Sequence, residues 1–155
     1  MKHLKRFSLI AVLFLLLSCS SDDTSNQPTS ITIGNYILHF ESKFVLEELA
    51  GTDSYVGSIT GSGITLYFDY GYYTVPLTNL PSDTYVVTED ELNGHYRQIV
   101  QAIHPETNPT QIHLYNISEA GTLPLYNSLT VYTNNLSAAQ QALVMEVFNT
   151  IEITE

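Results

Sequence analysis

The chain has 155 residues, 16 of them acidic and 5 basic, for a formal net charge of −11. A charge of that sign repels phosphate backbones, which excludes a nucleic-acid-binding role. The single cysteine excludes an internal disulfide framework, so stability has to come from buried apolar surface.

In chain order, Lys2, Lys5 and Arg6 form a short basic region and Phe7 to Leu17 an apolar segment broken only by Ser8, the pattern of a secretory signal. Crossing a bilayer takes about twenty apolar residues, so this is a targeting segment and not an anchor. Leu16-Leu17-Ser18-Cys19 lies directly behind it and resembles the lipobox of bacterial lipoproteins. The resemblance implies that residues 1–18 are removed and that Cys19 carries two or three acyl chains as the new N-terminus. Each buried methylene adds about 0.8 kcal/mol, and two chains hold stably where one does not. In a chain so processed, only Lys43 and Arg97 face all 16 acidic residues.

Serine, not aspartate, follows the cysteine, which for a lipoprotein implies an outer-membrane destination. Ser20-Ser21-Asp22-Asp23 resembles the surface-export signal of Bacteroidetes lipoproteins and implies a domain facing the cell exterior. Ser20 to Ser30 also has the composition of a disordered polar tether, and both readings hold together. The expected organisation is a signal at 1–18, a lipidated cysteine and tether at 19–30, and one globular domain at 31–155.

Within the domain, Tyr36, Leu38 and Phe40 alternate with Ile37 and His39, as a half-buried strand requires. Lys43 to Leu49 reads either as one or two helical turns stopped by Gly51 or as irregular chain. Tyr55 to Thr60 and Ile64 to Tyr70 are β-rich runs joined by Gly61-Ser62-Gly63, a hairpin signal. In its second arm Ile64, Leu66, Phe68 and Tyr70 should face the core, and Thr65, Tyr67 and Asp69 the opposite side.

A longer connection with Pro76 and Pro81 leads to a second predicted hairpin, Thr84 to Thr88 and His95 to Ile103, about Asn93-Gly94. That dipeptide suits a type I′ turn because both residues tolerate positive φ. The acidic Glu89-Asp90-Glu91 is placed near this turn, exposed. Two further strands are expected at Gln111 to Ile117 and Ser128 to Tyr132. The last element is a helix: Ser137 and Gln140 make a capping box, and Leu143, Val144, Val147, Phe148 and Ile151 form an apolar stripe. The fold class is therefore α+β, an antiparallel hairpin-rich sheet of five or six strands packed by one C-terminal helix.

The segments DSYVGSITGSGITLYFDYGYY (53–73) and NNLSAAQQALVMEVFNTIEI (134–153) resemble small lipoproteins of Bacteroidetes, in which a hairpin ending in Asp-Tyr-Gly precedes further strands and a closing helix. The element order, with the helix running into Ile151-Glu152-Ile153, is also similar to the PsbP-like fold. Neither resemblance carries a catalytic residue to this chain, and shared fold does not imply shared function.

The candidate chemistries each fall short of the pattern they need. His39, His95, His104 and His113 lack metal-ligand spacing and read as surface or loop side chains, so no metal or other cofactor is expected. Asp83, Glu89, Asp90 and Glu91 lack the order of a calcium loop and read as a solvated acidic turn. Gly57-Ser58 and Gly61-Ser62-Gly63 do not fit a nucleophile elbow. Asp53 and Asp69 are the carboxylates available for glycoside hydrolysis, which their separation in space decides.

What stands out is eleven tyrosines with no tryptophan. Tyr67, Tyr72 and Tyr73 are the candidate ligand-binding residues, because tyrosine offers an apolar face with a polar tip at recognition surfaces. The expected role is non-catalytic binding of a glycan or protein ligand by an outer-membrane lipoprotein held through Cys19. A periplasm-facing accessory subunit and a glycan-processing enzyme using paired carboxylates are the alternatives.

Overall fold

The computed structural model describes residues 27–71, 74–119 and 127–154, in the element order β1 (Thr29–Ile33), β2 (Tyr36–Phe40), β3 (Val45–Leu49), β4 (Ser54–Gly61), β5 (Ile64–Gly71), β6 (Tyr85–Leu92), β7 (His95–Ala102), β8 (Thr110–Asn116), β9 (Ser128–Thr133), α1 (Ala138–Asn149) and β10 (Glu152–Ile153). The signal, Cys19, the Ser20 to Asp23 tract, Tyr72 and Tyr73 lie outside the described residues. The strands form a seven-stranded antiparallel sheet in the order β3-β4-β5-β9-β8-β7-β6 and a three-stranded one in the order β1-β2-β10.

The α+β class holds, but ten strands in two sheets replace the single sheet of five or six. The strands that no segment named from sequence covers are three short ones, β1, β3 and β10. Val45–Leu49, read as helical turns or irregular chain, is edge strand β3, paired along its length with β4 from Val45↔Thr60 to Leu49↔Val56. Its residues are mostly exposed, so no alternation of burial marks it. β10 adds to β2 through Glu152↔Ile37 and Ile153↔Tyr36, and β1 begins at Thr29, inside the segment read as tether.

The hairpin turns follow from residue chemistry. Ser62 and Gly63 have φ of 50° and 70°, and Asn93 and Gly94 have φ of 50° and 78°, so both two-residue turns have the positive dihedrals that match strand twist. Ser137 caps α1 as expected, its side chain accepting from the Gln140 amide while the Gln140 side chain accepts from the Ser137 amide.

One face of the large sheet carries the core. Ile59, Leu66, Phe68, Ile99, Ile112, Leu114, Leu129 and Val131 from that face pack with Ile33, Tyr36 and Leu38 of the small sheet and Val144, Val147 and Phe148 of α1. Each such side chain contributes about 1.5–3 kcal/mol on full burial. Leu143, expected in the apolar stripe, is 43% exposed; Gln141 is buried in its stead, donating to Ala102 O and Thr110 Oγ1. At Gly34, φ is +56° and the Tyr70 ring stands where a Cβ would be, so only glycine fits.

The chain path explains the strand order. After β5 the chain crosses to the far edge, and β6 to β9 return as a meander that lays β9 against β5. The two halves of the sheet meet at that seam.

Candidate functional site

Directly paired residues of an antiparallel sheet point to the same side, so the register gives the composition of the face turned away from the core. One row across it runs Glu47, Ser58, Tyr67, Tyr132, Gln111, Val100 and Val87. The next runs Val56, Asp69, Thr130, His113, Gln98 and Glu89. A third pairs Glu91, Tyr96 and Tyr115. The outer face thus mixes polar and aromatic side chains with Val45, Leu49, Val56, Val87 and Val100, where the inner one is mostly aliphatic.

Tyr67 lies on this face as its alternation with Leu66 and Phe68 predicts. It stacks on Tyr132 across the seam, with ring centroids 5.5 Å apart and planes 29° from parallel. The two are 40% and 38% exposed, a solvent-facing aromatic pair flanked by Ser58 and Gln111. Asp69 Oδ1, one position along, is buried and accepts no hydrogen bond among the described residues.

Toward the other edge, the chain after β5 folds back over the outer face. Gln98 holds it there: Leu77 N–H donates to Gln98 Oε1 at 2.9 Å, and Gln98 Nε2 donates to Leu77 O at 3.0 Å. Gln98 Nε2 also reaches Glu89 Oε1 at 2.9 Å. Between this segment and the sheet lies a cleft of about 520 Å³, lined by residues 76–80 with Val87, Glu89, Tyr96, Gln98 and Tyr115. The Gln98 amide and the Tyr96 hydroxyl hold the Glu89 carboxyl below the ordinary glutamate range, and burial beside Glu89 raises Tyr96 well above the ordinary phenol range. The Tyr96 and Tyr115 rings are 5.0 Å apart.

The histidines do not converge. His95 faces the core and packs edge-on to Tyr36, with centroids 5.5 Å apart, whereas His113 faces outward and shares a 2.8 Å hydrogen bond with Thr130 Oγ1. Both are buried, which corrects their reading as surface or loop side chains. Only His39 and His104 are of that kind. Among the described residues no group of three or more His, Cys, Asp or Glu is placed to hold a metal ion.

Glu89-Asp90-Glu91 lies within β6 and not in the turn beside it, and strand alternation divides it. Glu89 and Glu91 face outward, and Asp90 faces inward to pair with Arg97 at 2.5 and 2.8 Å. Arg97 Nη1 also reaches the carbonyls of Phe148 and Asn149, each at 3.4 Å, at the negative end of α1. Asp53 precedes β4 in a bend, while Asp69 lies on the face of β5. A second recess, among Phe40, Phe44, Ile64, Leu66 and Leu143, holds only about 40 Å³ and has an apolar floor.

Of the candidate ligand-binding tyrosines, then, Tyr67 is on the open face. Tyr132, Tyr96 and Tyr115 join it there, and sequence reading had singled out none of these three. The phase of their strands, set by Leu129 and Val131 in one case and Ile112 and Leu114 in another, was the signal available. No family model matches the chain, nor does any curated protein or solved structure.

Proposed function

We propose that this protein is a lipid-anchored binding domain of the outer membrane, turned to the cell exterior, which engages a glycan chain through the outer face of its large sheet and performs no chemistry on it. The observation that carries the reading is the exposed Tyr67–Tyr132 stack, set among hydroxyl, amide and carboxylate groups. Aromatic faces stack on the apolar faces of sugar rings, and the polar groups beside them suit the ring hydroxyls. The lipobox at Cys19 and the Ser20-Ser21-Asp22-Asp23 tract support the address.

A hydrolytic role has less support, because Glu89 is the one carboxylate among the residues lining the large cleft and hydrolysis needs an opposed pair. A subunit role has one observation in its favour. Val45 and Leu49, 53% and 49% exposed on the same face, offer apolar contact at the β3 edge.

The test is affinity electrophoresis of the detergent-solubilised lipoprotein in gels containing defined polysaccharides. Native protein should be retarded by at least one of them. Tyr67→Ser/Tyr132→Ser should weaken that retardation about tenfold, as the loss of two stacking contacts implies, with an unchanged melting temperature. Equal retardation of both proteins overturns the assignment to this face.

A further inference from the structure

A second site lies on the same face, independent of the Tyr67–Tyr132 pair. We infer that the cleft between residues 76–80 and strands β6 to β8 takes an organic cation, the guanidinium or ammonium head of an arginine- or lysine-like side chain, with Glu89 as its counter-ion and Tyr96 and Tyr115 as its aromatic walls.

Three observations converge on that chemistry. Glu89 is a fixed anion, held by the Gln98 amide at 2.9 Å and kept ionised by its donors, and it lines an open volume of about 520 Å³. Tilted tyrosine rings 5.0 Å apart stand beside it, and ring faces attract cations. Glu91 pairs with Tyr96 on the same face and adds a second negative charge.

No cation of the domain itself fills this role. Of its two basic residues, Arg97 projects to the opposite face and is committed to Asp90 and the α1 carbonyls, and Lys43 lies in the connection between β2 and β3. The shape selects further. A hard metal ion needs several oxygen ligands, and the lining has one carboxylate. Pro76, Leu77 and Val87 instead offer apolar wall for the methylene stem that carries an arginine or lysine head.

The experiment titrates the full lipoprotein in detergent with Nα-acetyl-arginine methylamide, spermidine and a tetra-arginine peptide, following the tyrosine ring resonances by NMR. All three probes should shift Tyr96 and Tyr115. Glu89→Gln should weaken binding about tenfold, as loss of a hydrogen bond to a charged group implies, and Tyr115→Leu should weaken it by a comparable factor. Glu106→Gln, the same charge change in the exposed turn after β7, should leave affinity within about twofold. Tighter binding of the peptide than of the single residue or spermidine identifies a basic protein segment as the natural source, and the reverse order a free polyamine; both support the cation site. Equal losses in Glu89→Gln and Glu106→Gln reduce the effect to net charge and overturn it. So does a titration that leaves Tyr96 and Tyr115 unmoved. Since Tyr67→Ser/Tyr132→Ser should not alter this titration, glycan binding and cation binding fail separately.

Discussion

His113 stands in the middle of the outer face with no exposed surface, one nitrogen bonded to Thr130 and the other, Nε2, without a partner among the described residues. Burial disfavours the charged ring and pushes its pKa down to about 4, from 6.5 in an unfolded chain. Between those values the unfolded chain binds a proton that the folded one rejects, so stability falls as pH falls through that window. The full effect is about 3 kcal/mol, present above pH 6.5 and lost by pH 4. Urea unfolding at pH 7, 5.5 and 4.5 should show the midpoint dropping in native protein and a flatter profile in His113→Gln. Asp90 works in a different window. Its hydrogen bonds with Arg97 hold its carboxyl below the ordinary value of 3.8, so that contribution is intact above 3.8 and disappears only at lower pH. A profile equally steep in His113→Gln would assign the acid loss elsewhere.

At the scale of elements, what alternation could decide depended on burial. β2 and β5 are buried on one side, and their inward residues Tyr36, Leu38, Phe40, Leu66 and Phe68 were legible from period two. β3 lies at an edge with little buried on either face, so its pairing with β4 had no sequence mark. In α1 the stripe was correct at Val144, Val147 and Phe148 and wrong at Leu143, because Gln141 takes the inward position, where Ala102 O and Thr110 Oγ1 satisfy its amide. Gln98 anchors the segment over the outer face at Leu77, and the hydroxyls of Thr74 and Ser128 tie the chain that leads into it. Gln98→Leu removes both hydrogen bonds to Leu77 and should free that segment, at a cost of about 1–3 kcal/mol. Hydrogen exchange at the Leu77 amide should accelerate while that of the β7 and β8 amides holds. An unchanged Leu77 rate would mean that packing, and not Gln98, keeps the segment in place.

At the scale of the whole molecule, the seam between β5 and β9 joins two meanders and creates the Tyr67–Tyr132 pair from strands far apart in the chain. The two faces of the sheet then differ: the inner one carries the core, and the outer one presents the exposed Tyr67–Tyr132 pair. The proposed address is tested at this scale too, because the whole domain faces one side of the membrane or the other. Protease treatment of intact cells should digest an epitope-tagged native protein and spare the Asp22→Ala/Asp23→Ala form at equal expression. Protection of the native protein would instead place the domain in the periplasm and favour the subunit reading.

Sequence alone determined the α+β class, both hairpins, the type I′ turn at Asn93-Gly94, the capped helix and the outward phase of Tyr67, because each rests on contacts within a few residues or on strand alternation. Dihedral preference at Asn93-Gly94 and the hydroxyl of Ser137 act locally and are readable locally. Tertiary structure decided the partner of Tyr67, the burial of His113, and the open cleft that Gln98 borders beside Tyr96 and Tyr115. Those depend on which strands become neighbours, and that choice is made by burying one large aliphatic face at once, a global condition that no short stretch of residues encodes.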